Sequence, residues 1–446
     1  MSGGAATAQP TVAAPPRPAR PGRWRRHRVT IAFLAPAAVL LGVWIVYPTI
    51  YTIVRSLFDR EGSTFVGLDN YGELFSQDIL VTAIKNNALW LAIVPAFVTA
   101  IGLVFAVLLE RVRWSVAFKT VVFMPMAISL FAAGVIWRVM YEKDPEVGAV
   151  NASIKVVSDA VSPPGALPEA QPSTDNVTGS TGSGLVLQRP VRGGDVVQLG
   201  LTAIPPKDVP DDARQARAPP AAAGAIGGVV WRDFKPGGGK PGVVERGELG
   251  IPDVTVELRD TGGKTVEKAK SGPDGAFTFQ KVGPGAHRVA IGKETFEKPF
   301  DGVSWLGESL ITPAVMLAYI WVWAGFSMVV IGAGLAAIPR DLLEAARTDG
   351  ASEFQVFRRV TVPLLRPVLV VVFVTMLINV LKVFDIVLSV APASSQDDAN
   401  VIALAMWRTA FGGVNDFGLG SAIAVFLFLL VIPILLLNIR NFRREA

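Results

Sequence analysis

Cysteine is absent from the chain, and histidine occurs only at His27 and His287. Disulfides, thiol catalysis and thiolate metal sites are therefore excluded, and two lone histidines leave a zinc or haem centre almost without ligands. Charge is scarce as well: 18% of the 446 residues are charged, and the formal net charge is +5. The basic residues sit beside long apolar runs and not along one soluble face, which points to a membrane surface and away from nucleic acid. What the chain has in excess is apolar surface. Hydrophobic residues make up 51% of it and the mean hydropathy is +0.44, too apolar for an ordinary soluble protein.

A helix needs about 20 apolar residues to cross a bilayer, because its backbone must satisfy its own hydrogen bonds where water is missing. Six stretches meet that test: Val29–Val54, Ala88–Leu109, Thr120–Trp137, one within Leu310–Ile338, Pro363–Phe384 and Phe417–Ile439. In the fifth, Arg366 and Lys382 are expected to snorkel toward opposite interfaces. Basic clusters lie in the N-terminal tail (Arg17 to Arg28), in the second connection (Arg111, Arg113, Lys119), in the fourth (Arg340, Arg347, Arg358, Arg359) and at the C-terminus (Arg440, Arg443, Arg444). Lys and Arg are retained on the cytoplasmic side, and six spans with both termini cytoplasmic put all four clusters there. Residues 1–28, rich in Pro, Ala, Gly and Arg, read as a disordered basic cytoplasmic tail lying against anionic lipid. A cleaved signal peptide is the weaker reading of the first span: the apolar run is too long and lacks a small-residue cleavage site.

The segment 339–363 between the fourth and fifth spans reads as two short helices with a break. Asp341 and Glu344 stand in capping-box positions for the first, Gly350 supplies the left-handed residue that ends it, and Ser352 with Gln355 repeats the box for the second. Leu342, Leu343 and Ala346 make an apolar face on the first helix, and Phe354, Phe357 and Val360 one on the second. Pro363 suits the first turn of the following span. Glu344-Ala345-Ala346, Asp349-Gly350-Ala351, Phe357 and Pro363 resemble the "EAA" loop of binding-protein-dependent ABC transporter permeases, in the family's spacing and place. Tyr47-Pro48, Gly67 to Tyr71, Gly148 to Asn151, Leu381 to Asp385 and Gly418 to Ala424 resemble the carbohydrate-uptake branch, the last two its alpha-glucoside and maltose permeases.

The resemblance implies an all-α polytopic membrane protein, six transmembrane helices in the ABC importer type I permease fold, with a small β-sandwich inserted. It also implies a transport subunit and not an enzyme, in a bacterial plasma membrane. The coupling residues would be Glu344, Ala345, Ala346, Asp349, Gly350, Ala351, Phe357 and Pro363. The expected partners are a second homologous permease, an ABC ATPase dimer, an extracytoplasmic solute-binding protein and the lipid bilayer. No cofactor is expected on this chain, with ATP and Mg on the partner ATPase. Polar groups are expensive in lipid and tend to face a cavity. Asn379 is accordingly a candidate substrate contact, with Trp321 and Trp323 as candidate sugar-stacking surfaces.

The membrane part divides into residues 29–157 and 301–446, and what separates them is expected outside the cell. Residues 158–223 turn to Pro, Gly, Ser, Ala and Asp, apart from one apolar stretch around Val196 to Ile204, and read mostly as linker. Residues 224–300 alternate at strand period. Val254, Val256 and Leu258 oppose Thr255, Glu257 and Arg259, and Phe277 and Phe279 alternate with Thr278 and Gln280. The stretches Gly228 to Asp233, Gly250 to Val256 and Asp274 to Phe279 resemble SdrD-B and collagen-binding-B type repeats. Some such repeats bind calcium, for which Asp233, Glu245 and Glu248 are weak candidates here, since the loop from Lys235 to Val244 has no acid. The competing reading of the whole chain is a membrane-anchored surface-binding protein acting through this outer sandwich. Gly262-Gly263-Lys264-Thr265 imitates a phosphate loop, but Leu258 stands where its first glycine should. Gly332 to Ala337 imitates a dinucleotide fingerprint, but Pro339 follows at once and small-residue helix packing explains it.

Overall fold

The computed structural model describes residues 23–110, 112–180, 182–280 and 282–445, with side chains from Thr30 to Leu436 apart from Ser180. Most of the expected tail, residues 1–22, lies outside them, and Arg23–Arg28 already belong to the first helix. Two compact units form. One takes the described residues up to Phe131 with Val315–Leu388 and from Gln396 onward; the other takes Ala132–Ala314 with Ser389–Ser395.

Five helices among the described residues are long and apolar enough to cross a membrane: Thr30–Arg55, Asp78–Glu110, Ile311–Ala336, Glu353–Leu381 and Phe417–Leu436. Ser115–Ala127 and Leu130–Met140 make a sixth only if counted together as one broken span. The third expected span is thus not a single helix. Pro125, without a donor, sits in a 3₁₀ turn (Met124–Ala127), and Ile128 is extended, so the ladder stops there.

The chain runs α1 (Arg23–Leu41), α2 (Tyr47–Arg55), α3 (Asp69–Ser76), α4 (Asp78–Glu110), α5 (Ser115–Phe123), α6 (Leu130–Met140), α7 (Ala149–Val161), α8 (Ile311–Ala336), α9 (Arg340–Thr348), α10 (Glu353–Val356), α11 (Val362–Leu381), α12 (Asp385–Val390), α13 (Ile402–Phe411) and α14 (Phe417–Glu445). Two π turns interrupt it, Gly42–Val46 between α1 and α2 and Phe357–Thr361 between α10 and α11. Each lies just ahead of a proline, Pro48 or Pro363. A proline leaves the carbonyl four residues back without its partner, and a widened turn redistributes the bonds without ending the helix. The second elbow helix and the fifth span, expected as separate elements with Pro363 in the first turn of the span, are therefore one helix from Glu353 to Leu381.

In the first unit α4 packs on α11 and α13, and α14 on α2, α3, α11 and α13. Leu74, Leu80, Ala83, Ile402, Ala405, Leu419 and Ile423 form one buried cluster there. Close approach depends on small residues: a Cβ on Gly102 would run into Ser327 and the Met328 backbone, and one on Gly325 into the Val122 carbonyl. Asn70 is buried and its amide donates to the carbonyls of Ser56 and Phe58, both at 2.8 Å, while Tyr71 Oη lies 2.8 Å from Ser56 Oγ. The stretch from Gly67 to Tyr71 is therefore a clasp on the end of α2.

The second unit contains two sheets. Strands β1 (Gln171–Pro172), β4 (Val196–Thr202), β5 (Ile226–Arg232) and β8 (Ala276–Phe279) form one in the order β1-β4-β5-β8. Strands β2 (Val177–Ser180), β3 (Gly184–Leu187), β9 (Arg288–Ile291), β6 (Thr255–Arg259) and β7 (Thr265–Lys270) form the other in the order β2-β3-β9-β6-β7. Residues 158–223 are not mostly linker. They hold β1 to β4 and give Leu167, Leu185, Leu187, Val197, Leu199, Leu201 and Ile204 to the buried core shared with Ile226, Val256, Leu258, Phe277 and Phe279. β4 runs parallel to β5, from Val196 opposite Gly227 to Leu201 opposite Arg232. A parallel neighbour needs a long return connection, here residues 203–225, whose Pro and Ala content imitates a linker.

Glu257 also departs from expectation. It sits on a strand paired on both sides, is buried, and receives Lys268 at 2.6 Å and Arg259 at 2.8 Å. Burial pushes its carboxyl up, but the two cations overcome this and hold it below the ordinary value of 4.5. Its contribution to stability is thus present above that value and is lost as pH falls through the lowered folded value. Glu257→Gln is expected to cost about 1–3 kcal/mol at neutral pH and to flatten the acid limb of the unit's stability curve. Protease resistance of the membrane-bound chain across pH 3–7 measures both, and an acid limb identical to wild type would refute the pairing.

Candidate functional site

The bent helix pair around Gly350 is the candidate site. α9 ends in a Schellman cap: the Ala351 N–H donates to the Ala346 carbonyl (3.1 Å) and the Gly350 N–H to that of Arg347 (3.0 Å), with Gly350 at φ +85°. This left-handed residue closes the last turn and redirects the chain. Two residues later the capping box is complete: the Ser352 N–H donates to Gln355 Oε1 at 2.8 Å, and the Gln355 N–H to Ser352 Oγ at 3.4 Å. The other expected cap is not formed. Pro339 stands at the N-cap and Asp341 lies within the first turn, where its charge faces the positive end of the helix without capping it.

Arg347 ties the two arms together, its Nε 2.9 Å from Glu353 Oε1. That hydrogen bond, with further pull from the Glu344 and Glu110 carboxylates, pushes the guanidinium still further up. Behind the elbow lies a cavity of about 370 Å³ lined by Leu108, Glu110, Leu335, Leu343, Val356 and Phe357.

The packed face differs from the one the 3.6-residue period picks out. Val356 and Thr361 are the buried residues, Leu343, Ala346, Ala351, Phe357 and Val360 are half-buried, and Phe354 is 68% exposed. The π turn is the reason, since it brings residues five apart onto one side. Glu344, Ala345, Leu342 (48% exposed), Asp349 and Phe354 are all open to solvent, and so is Pro363 in the first turn of α11. The elbow therefore presents two large apolar side chains beside a carboxylate, uncovered by the rest of the chain.

The candidate pathway residues are not gathered in one place. Trp321 and Trp323 stand two apart on α8, so they point to opposite sides of it. Trp323 lies tilted at 5.9 Å from Tyr319 and edge-on at 5.6 Å from Phe326, while Trp321 is 39% exposed. Asn379 is half-buried in the last turn of α11, where its carbonyl accepts from the Lys382 N–H at 3.1 Å. Asn87, by contrast, is buried, and its Oδ1 caps α13 through the Ile402 N–H at 2.7 Å.

In the second unit, Asp233 accepts from the Gly242 N–H at 2.5 Å, Glu245 from the Lys240 N–H at 3.0 Å with Lys235 Nζ at 3.1 Å, and Glu248 from the Glu245 N–H at 2.8 Å. Burial pushes the Glu248 carboxyl up. The three carboxylates thus serve their own loop, and no group of three or more side chains placed to hold a metal occurs among the described residues.

Comparison with known proteins adds to this geometry. The family model described as binding-protein-dependent transport system inner membrane component matches residues 277–442, and the SdrD B-like domain model matches 224–299. The chain is 30% identical over 418 residues to the alpha-glucoside transport system permease protein AglF of Rhizobium meliloti (strain 1021), covering 93% of this chain and 82% of that protein. It is 27% identical over 414 residues to the osmoprotective compounds uptake permease protein GgtC of Synechocystis sp., covering 93% and 98%. Among solved structures, a chain of a bacterial ABC transporter involved in the import of the acidic polysaccharide alginate shares the fold, with TM-score 0.56 at 16% identity over 94% of this chain and 96% of that one.

Proposed function

We propose a carbohydrate-importing function from one premise: the chain belongs to the family of binding-protein-dependent transport system inner membrane components. It is a permease subunit of an ATP-driven ABC importer, a transport component and not an enzyme. The observation that carries this reading is the 30% identity with an alpha-glucoside permease across 93% of the chain, through both helical segments and the insert. An anchored surface protein acting only through the sandwich gives no reason for that coverage.

In this reading the broken pair α5 and α6 counts as one span, giving six, with both termini cytoplasmic and the insert outside. The four basic clusters support that orientation. The cargo is an alpha-glucoside or maltose-like sugar. A second permease completes the pathway, and a solute-binding protein delivers the cargo; a bacterial alginate transporter with a chain of similar fold has been solved in complex with a periplasmic protein carrying an alginate pentasaccharide. An ATPase dimer holding ATP and Mg docks on the elbow. The open Leu342, Glu344, Ala345 and Phe354 support the docking, because exposed apolar groups beside a carboxylate suit a partially basic cleft. Closure of the ATPases pushes α9, and the stiff helix from Glu353 to Leu381 carries the displacement into the membrane.

The test is uptake of radiolabelled maltose, trehalose and sucrose by cells with and without this chain. Loss of uptake of at least one is expected, and equal uptake of all three refutes the reading. The Arg347–Glu353 pair gives a finer check. It is partly exposed, so Arg347→Ala is expected to leave chain stability almost unchanged and to slow uptake by up to about fivefold. Unchanged uptake at equal membrane levels would show that the pair does not set the angle of the elbow.

A further inference from the structure

The second unit contains a cleft that the elbow mechanism does not use. It encloses about 310 Å³ and is lined by Arg138, Tyr141, Glu142, Ser304, Trp305 and Ser394, among others. That volume lies at the lower end of the roughly 300–1,000 Å³ of small-molecule sites. Its aromatic wall is held in place before any ligand arrives. Trp305 Nε1 donates to Asn151 Oδ1 at 3.2 Å, its ring lies 5.8 Å from that of Tyr141, and the Tyr141 ring lies 5.0 Å from Trp137. The Tyr141 hydroxyl in turn donates to the Ala314 carbonyl at 3.0 Å.

The charges tell which ligand suits it. Lys143 also lines the cleft but is engaged by Asp301 at 2.6 Å. Arg138 and Glu142 remain, four residues apart, and neither side chain has an ion-pair partner among the described residues. One free guanidinium and one free carboxylate sum to zero, so the cleft favours a neutral molecule: an anion would be opposed by Glu142 and a cation by Arg138. A guanidinium offers paired donors, a carboxylate paired acceptors, and the two serine hydroxyls either. With a fixed indole alongside, this is the chemistry that recognises vicinal hydroxyls on a ring with an apolar face.

We propose that this cleft is a binding subsite for one sugar ring of the cargo, a proposal that rests on the carbohydrate reading above. The test uses the intact transport complex in lipid nanodiscs with the solute-binding protein left out, titrated with maltose and followed by saturation-transfer NMR. Saturable transfer is expected in the wild type, with about a tenfold loss of affinity in Arg138→Gln and in Glu142→Gln, about 1.4 kcal/mol. Both substituted side chains are exposed, so folding is not at stake. ATP-driven maltose uptake by the same variants, with the binding protein restored, separates the two readings. Unchanged transfer in both variants while uptake continues overturns the subsite and leaves the import function standing. Displacement of maltose by equimolar inorganic phosphate marks an anion site and also overturns it. Absence of uptake of any alpha-glucoside by the wild type removes the carbohydrate reading and the subsite with it.

Discussion

Gly350→Pro is expected to reduce ATP-driven uptake to background while the chain still inserts at its normal level. The argument is confined to the backbone. A Cβ at Gly350 would meet no atom within 4 Å, so bulk alone is harmless, but φ is +85° there. Proline is fixed near −65°, and it also removes the N–H that donates to the Arg347 carbonyl. The Schellman cap cannot survive both losses, at a local cost of about 3 kcal/mol or more, and α9 then leaves the capping box of Ser352 at a different angle. Intermediate substitutions grade the effect. Asn tolerates the left-handed region and should retain part of the uptake, while a β-branched Val should retain almost none. Uptake assays with membrane levels measured in parallel decide the matter. Wild-type uptake by Gly350→Pro would separate the elbow from coupling altogether, whereas loss of the protein from the membrane would show that the cap is needed for folding instead.

Much of this site is legible from spacing alone, because caps are local devices. Gly350, Ser352 and Gln355 declare themselves within a few residues, and the structure forms both motifs. What spacing does not carry is anything that depends on a non-local partner or on a change of period. Phe354 reads as packed and Val356 as incidental until the π turn before Pro363 reverses them. The linker-like stretch 158–223 conceals Val197, Leu199 and Leu201, an alternation too short to stand out among Pro and Gly, and its strand is completed only by β5 lying parallel to it. Glu257 alternates onto the outward face of its strand, yet neighbours on both sides bury it and Lys268 with Arg259 make that tolerable. Trp321 and Trp323 look like a pair in the sequence and are separated by the helix that carries them.

Asn151→Ala is expected to be the most damaging single change to the second unit. The side chain is wholly buried at the start of α7. Its amide donates to the carbonyls of Glu142 (2.9 Å), Lys143 (3.1 Å) and Val303 (2.9 Å), while its Oδ1 accepts from the Val303 N–H (2.9 Å) and Trp305 Nε1 (3.2 Å). One residue therefore joins the chain before the sandwich to the chain after it, closing a loop that contains both sheets. Gly302, at φ +81°, lets the returning chain come that close, since a Cβ there would strike the Lys143 carbonyl. Truncation removes every one of these part-buried bonds at once, each worth about 0.5–1.5 kcal/mol. Lost together they are a large fraction of the whole stability of a domain, about 5–15 kcal/mol. The expected result is a chain degraded in cells and cleaved rapidly between residues 141 and 310 in isolated membranes. Asn151→Asp should fare no better, because it keeps the acceptors but replaces the donors with a buried charge. Wild-type abundance and an unchanged cleavage pattern in Asn151→Ala would mean that the two sheets hold their connections together without the clasp.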